Sequence, residues 1–160
     1  MFAPPDSHLN RFYDGWNRYQ ALLVDAIGPL TNDQLAIRAA PQLRQIWELA
    51  GHIIAARVYW FHLVLGEGST ALEPMMGWDD EGQPLRNADD LVRGLNESWE
   101  LIDECLQRWT VDDLDVLKTT SRGTELSRQW VIWHVLEHDL HHGGELSFTL
   151  GMNGLAAPDL

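Results

Sequence analysis

Four histidines crowd into nine residues near the end of this chain: His134, His138, His141 and His142. No proline interrupts positions 127–150, the glycines there are the pair Gly143 and Gly144, and Leu136, Leu140, Leu146 and Leu150 form an apolar stripe. The stretch predicts one long helix starting near Ser127. At ~100° per residue, positions 134, 138, 141, 142 and 145 fall within about 100° of one another, so four imidazoles share a face with the Glu145 carboxylate. Trp130, Val135 and Phe148 flank that face. A polar stripe among apolar neighbours is costly to bury unless its ring nitrogens find partners, and a divalent metal is the natural partner for clustered imidazoles. Histidines four apart stack on successive turns and chelate one ion. His134 with His138 offers that spacing, and so does His138 with His142. A lone histidine in an apolar helix is more often a satisfied core residue; four at this spacing argue for a metal.

Two histidines leave an ion under-coordinated, because catalytic sites usually take three protein ligands and keep one position open. His52 is the best source of the third, since Leu49, Ile53 and Ala56 mark its part of a second predicted helix as core-facing. His62, ten residues on and rotated by about 80°, belongs to another level. His8, near a terminus, is expected to be solvated.

The elements that must position these groups are legible as periodic runs. Pro4 and Pro5 followed by Asp6 or Ser7 make a helix start, and Leu9, Phe12, Trp16, Tyr19, Leu23 and Ile27 carry an amphipathic helix to Gly28-Pro29. Residues 31–35 read as a short helical turn. A second long helix is expected from about Gln42 to Leu65, stopped by Gly66. Gly66 to Arg86 is a glycine- and proline-punctuated loop whose Met75-Met76-Gly77-Trp78 segment either folds over a pocket or, the preferred expectation, patches the core edge. Asn87 caps a third helix running to about Trp109; residues 110–114 begin another short helical piece, and 116–125 is mixed with a turn at Gly123. The expected fold class is all-α, a four-helix bundle forming a single domain over residues 1–160.

The chain has 160 residues, 45% of them hydrophobic, and 24 acidic against 11 basic side chains give a formal charge of −13. Such a surface repels phosphate backbones and anionic headgroups, so neither nucleic acid nor membrane is an expected partner. Cys105 is the single cysteine, which precludes an intrachain disulfide and fits a reducing cytoplasm. The opening Met1-Phe2-Ala3-Pro4-Pro5-Asp6 has no basic then apolar leader pattern, and no run of 18 uncharged apolar residues occurs. The expectation is a cytoplasmic protein. Its eight tryptophans fall mostly in helical stretches, where they fill a core or line a pocket.

Two segments carry a family resemblance. Ile46-Trp47-Glu48-Leu49-Ala50-Gly51-His52-Ile53 resembles the second-helix histidine segment of the DinB-like (YfiT-like) metalloenzymes. His134-Val135-Leu136-Glu137-His138-Asp139-Leu140-His141-His142-Gly143-Gly144-Glu145-Leu146 resembles their last-helix H-x-x-x-H segment. The helix order and the long connection after the second helix match as well. The resemblance implies an up-down-down-up bundle, usually a homodimer, with a divalent metal held by three histidines and water. Carried over residue by residue, the ligands fall on His52, His138 and His142, which also chooses between the two pairs on the last helix. His134 and His141 then line the pocket or support the ligands. Many relatives continue with Arg-Gly-Gln where this chain has Gly143-Gly144-Glu145, which removes any anion contact that arginine would make. Glu145, three residues after His142, is placed to orient an imidazole.

An ion held by three histidines with an open position lowers the pKa of bound water or binds a thiolate. The resemblance extends to thiol-dependent transferases and isomerases that use a low-molecular-weight thiol such as bacillithiol or mycothiol. The leading expectation is therefore a metal-dependent S-transferase acting on a small molecule. A metal-dependent hydrolase and a non-catalytic, metal-binding or stress-related bundle are the alternatives. Zinc or nickel is the expected ion, iron or manganese the next choice. Glu145, Glu137 and Asp139 are the candidate proton acceptors, with Glu137 and Asp139 expected on the helix surface, and Arg57 is the candidate counter-charge for an anionic substrate. Paired Glu-x-x-His segments, an H-E-x-x-H motif and a glycine-rich phosphate loop are absent. Cys105, between Glu104 and Leu106, lacks a cationic neighbour in sequence and is expected to pack rather than react.

Overall fold

The computed structural model describes residues 8–159, with no account of the His8 and Asn10 side chains. The helix start expected at Asp6 or Ser7 and the solvated His8 side chain thus lie outside the described residues. A short helix α1 (His8–Phe12) leads into α2 (Asp14–Ile27), and α3 (Asn32–Leu35) follows after Gly28. Helix α4 (Ile46–Val58) continues through a wider π turn at Tyr59–Val64; α5 is Ala88–Arg108 and α6 is Arg128–Met152. The first helix was expected to be continuous. It breaks at Tyr13, where the Trp16 amide bonds the Tyr13 carbonyl three residues back at 2.9 Å, tightening the turn.

The long helices start at polar caps. Gln45 and Glu48 exchange side-chain and backbone bonds at the head of α4, placing its start three residues later than expected at Gln42. Asn87 accepts from the Asp90 amide at 2.9 Å and Ser127 from the Trp130 amide at 3.1 Å, fixing where α5 and α6 begin. After the π turn, Gly66 takes φ 76° and the chain leaves the helix.

Contacts between helices fix the topology. Trp16 packs on Trp99, Gln20 bonds Asn96 and Gly28 abuts Val92, so α2 and α5 are antiparallel. Gly94 lies against Ile54 while Arg57 reaches Leu95 and Ser98, so α4 and α5 are parallel. His52 meets His138 and His142 while Trp60 meets Trp130, so α4 and α6 are antiparallel. The result is a four-helix bundle in the order up, down, down, up. Its interior holds two apolar clusters. One is built around Leu23, Ile27, Ile46, Ile54, Leu91 and Leu146, the other around Phe61, Leu65, Ile102, Leu106, Val131 and Val135. Between them lies a polar layer of Gln20, Arg57, Ser98 and Asp139, all buried.

Two local expectations are corrected and one is met. The mixed stretch before α6 is a two-stranded antiparallel hairpin, β1 (Leu117–Thr119) with β2 (Glu125–Ser127), turning at Gly123 with φ 80°. The buried face of α6 is Val131, Ile132, Val135, Asp139, Gly143, Leu146 and Leu150, whereas Leu140 of the expected stripe is exposed. The loop after α4 contains a 3₁₀ segment, Thr70–Gly77, and sinks Met75 and Trp78 into the core, so this segment does patch the core edge. None of the helices in the described residues is long and apolar enough to cross a membrane.

Candidate metal centre

Burial of Leu49 and Ile53 turns His52 toward α6, where the antiparallel crossing sets it opposite one turn of histidines. The Nε2 atoms of His52 and His138 are 3.1 Å apart. Ring centroids lie 4.7 Å apart for His52 and His138, 4.5 Å for His52 and His142, and 4.4 Å for His138 and His142. One nitrogen from each of the three rings lies within 4.8 Å of the other two. Two nitrogens bound to one tetrahedral ion at ~2.0–2.1 Å would sit about 3.3 Å from each other, so the spacing suits a shared cation. Without one, the His52–His138 pair satisfies only one hydrogen bond, and His138 Nδ1 is buried with no partner.

Carboxylates hold two of the rings from behind. His52 Nδ1 contacts Asp79 Oδ2 at 2.5 Å, and His142 Nδ1 contacts Glu145 Oε2 at 2.7 Å. A carboxylate on the far nitrogen fixes the tautomer, presents the other nitrogen as a lone pair and raises its basicity. Two of the donors, His138 and His142, are held against protonation. Burial, then repulsion from His142, His52, His134 and His141, pushes His138 down to about 3. Burial also lowers His142, against the raising effect of Glu145. Neutral imidazole is the metal-binding form.

The other predicted residues separate into distinct roles. His134 is not in the triad: its ring stacks on Trp130 at 4.8 Å and meets Trp60 edge-on at 4.8 Å, 6.3 Å from His138. His141 points outward, with Nε2 3.8 Å from Glu145 Oε1; together with His142 and Glu145 it forms a second, more exposed cluster of donor atoms. Glu137 is exposed, as expected. Asp139, expected on the surface, is fully buried because its position falls on the α6 face turned into the bundle. Arg57 and Trp16 bind its Oδ2 at 2.9 and 2.7 Å. Burial pushes the Asp139 carboxyl above its ordinary range and Arg57 pulls it back. Arg57, expected to meet an anionic substrate, is therefore engaged internally and has no exposed surface. His62 sits apart from the triad, bonded to the Glu67 carbonyl at 2.7 Å. Cys105 is buried, and burial pushes its thiol up to about 12.

Asp79 is the functional candidate that sequence reasoning missed. It lies 27 residues from His52 in the loop, and Trp78 sets its place. The Trp78 backbone rests on Gly51, where an added Cβ would be 3.5 Å from the Trp78 carbonyl oxygen, and its ring fills the space a Cβ on Gly94 would need, 2.6 Å away. The acidic doublet after a core-anchoring tryptophan was the available signal. Trp130 was expected to flank the histidine face, whereas the part of Tyr59 and Trp60 in lining a cavity beside it was missed.

The triad sits in a groove between α4 and α6 with a cavity at each end. On the Trp60 side a cavity of about 300 Å³ is lined by His52, His138, Trp60, Met76 and Asp79. On the other side one of about 280 Å³ lies between Leu49, Arg44, Glu145 and Phe148. The family model described as the DinB superfamily matches residues 11–146. The chain belongs to this superfamily. Among solved structures, this DinB-superfamily chain is similar to a DinB-like protein from Bacillus cereus, with a TM-score of 0.72 and 22% identity over 93% of this chain and 95% of that one. It is similar to a conserved protein from Enterococcus faecalis, with a TM-score of 0.67 and 13% identity over 92% and 96% of the two chains. A mutant of a mycothiol-dependent maleylpyruvate isomerase is also similar, with a TM-score of 0.53 and 14% identity, over 94% of this chain and 60% of that one. At these identities the likeness is one of fold. No curated protein sequence matches.

Proposed function

We propose that the chain is a metal-dependent enzyme in which His52, His138 and His142 hold one divalent ion, zinc or nickel by preference, and that it transfers or rearranges groups on a small molecule with the help of a low-molecular-weight thiol. The observation that carries this reading is the convergence of three imidazoles from two helices, two of them braced by carboxylates, at the floor of a cavity open to solvent. The ion would supply a thiolate or hydroxide nucleophile at neutral pH through its free coordination position.

The protein's own contribution is positional. Asp79 and Glu145 hold His52 and His142 in the tautomer that presents a lone pair. The Trp60 and Trp130 rings pack on His134 and hold it beside the triad. Glu145, in contact with His142 and partly exposed, is within reach of solvent to take up or release a proton. A purely structural site would be closed by a fourth protein ligand, and among the described residues the cluster offers three histidines. Similarity of fold to a mycothiol-dependent isomerase supports the thiol as the co-reactant.

The test is elemental analysis of untagged wild-type protein beside His138→Ala, followed by thiol-consumption assays on metal-loaded protein. One equivalent of metal, lost in the variant, and turnover that requires a thiol are the expected results. Metal-dependent turnover that is indifferent to thiols would establish the hydrolase alternative. A wild type that takes up no zinc, nickel, iron or manganese would end the metalloenzyme reading.

A further inference from the structure

The two ends of the groove differ in charge, and the difference selects an occupant. At the Trp60 end, the Tyr59 and Trp60 rings meet at 5.2 Å and 89°, Trp60 lies 5.4 Å from Trp130 at 60°, and Trp130 stacks on His134 at 16°. Tyr59 and Trp60 line the cavity, and Tyr59 keeps 37% of its surface exposed; Trp130 stands behind Trp60, outside the lining. Among the described residues, Asp79 is the one carboxylate lining this cavity, and no lysine or arginine lines it. The adjoining cavity along α6, at His134, His138 and His142, adds only Glu137 as a formal charge. Arg57, on the same helix as Trp60, is turned inward onto Asp139. The cavity at the far end of the groove does have a cation, since Arg44 lines it together with Glu145.

We propose that the aromatic cavity binds a flat, apolar group that is neutral or cationic, and rejects an anionic one. A conjugated or aromatic group packs on the Tyr59 and Trp60 rings, and a cation is drawn both to those rings and to Asp79. In the metal-free protein a carboxylate placed there would meet Asp79 with no lining lysine or arginine to offset its charge. An anionic portion of the same or a second ligand is directed to the Arg44 end, across the triad. That the occupant is a substrate rests on the metal-enzyme reading; the selectivity of the cavity does not.

The test uses metal-free protein, so that no probe can bind an ion, and three matched probes: benzyl alcohol, benzylammonium and benzoate. Binding is read from the indole N–H signals of Trp60 and Trp130 by NMR. Benzyl alcohol and benzylammonium are expected to shift both signals saturably, with benzoate weaker by about tenfold or more. Trp60→Ala and, separately, Tyr59→Ala should each weaken the two binders by roughly tenfold. Asp79→Asn should narrow the gap between benzylammonium and benzoate. Benzoate bound as tightly as benzylammonium, or binding indifferent to both aromatic substitutions, overturns the proposal. His142→Ala separates it from the reading above, because His142 belongs to the triad but not to the lining of this cavity: metal uptake is lost there while probe binding stays. A wild type that takes up no metal but discriminates among the probes would leave this cavity standing and remove the metalloenzyme.

Discussion

His52 and His142 each face the centre of the triad with one ring nitrogen and a carboxylate with the other, but the two carboxylates differ in what holds them. Glu145 lies on the same helix as His142, one turn on, and keeps nearly half its side-chain surface in water. Asp79 comes from a loop anchored by the buried Trp78 ring and is less exposed, at 23%. The more enclosed and better anchored partner should matter more. Asp79→Asn is expected to weaken zinc binding by roughly 10–100-fold with the helical content unchanged, measured by competition with a chromogenic chelator. Glu145→Gln should cost less. The histidine cluster was legible because potential donors four apart on one helix advertise themselves in the sequence. Asp79 was not, since nothing local links residue 79 to residue 52; only the packing of Trp78 against Gly51 and Gly94 brings them together. Cys105 makes the complementary case of a reactive residue type made inert. With its thiol raised to about 12, chiefly by burial, it carries almost no thiolate near neutrality. A disulfide-exchange reagent at pH 8 should leave it unmodified in the folded protein and react fully only after denaturation.

At the level of helix packing, the Gly143-Gly144 pair shows how far a sequence pattern reaches. Two glycines inside a helix imply a close approach, and the structure makes that approach at one of them. A Cβ on Gly143 would lie 1.9 Å from the Tyr19 hydroxyl of α2, whereas one on Gly144 would meet nothing within 4 Å. Gly143→Ala should therefore destabilise the fold by ~1–3 kcal/mol through displacement of Tyr19. Adding Tyr19→Phe should restore part of the loss, because the hydroxyl is the nearest clash. Gly144→Ala should instead stabilise by up to about 1 kcal/mol, as an alanine in an open helical position. Urea denaturation of the three variants checks the order. The same limit explains the other departures from the sequence reading. Periodicity located all four long helices, because apolar residues at three- and four-residue spacing report burial directly. It was silent on the 117–127 hairpin, whose strands of three residues are too short for an alternating pattern to register. It misplaced Asp139 on the surface, because a charged residue reads as solvated until its partner is found.

That partner, Arg57, makes the whole bundle a single joint. Its guanidinium on α4 binds Asp139 of α6, the Gln20 side chain of α2 at 2.7 Å, and the Leu95 carbonyl of α5 at 3.3 Å, while Trp16 of α2 closes on the same carboxylate oxygen. All four long helices thus meet at one buried ion pair that separates the two apolar clusters. Taking both charges out of water is expensive, and their attraction repays the cost only while the geometry is kept. Removing one charge alone is worse, because the other stays buried without an opposite. Asp139→Leu is expected to cost about 3–5 kcal/mol, and Arg57→Met a comparable amount, whereas the double replacement by Arg57→Met and Asp139→Leu should lose less than the sum of the two. A thermal-denaturation cycle of the four proteins measures this coupling. The joint also bears on the metal centre, since Asp139 follows His138 directly and pins that turn of α6 against α4 from its inner face. If the double variant stays folded but its metal affinity falls, the ion pair holds the triad in register as well as holding the bundle together; if affinity is unchanged, helix packing alone aligns the histidines.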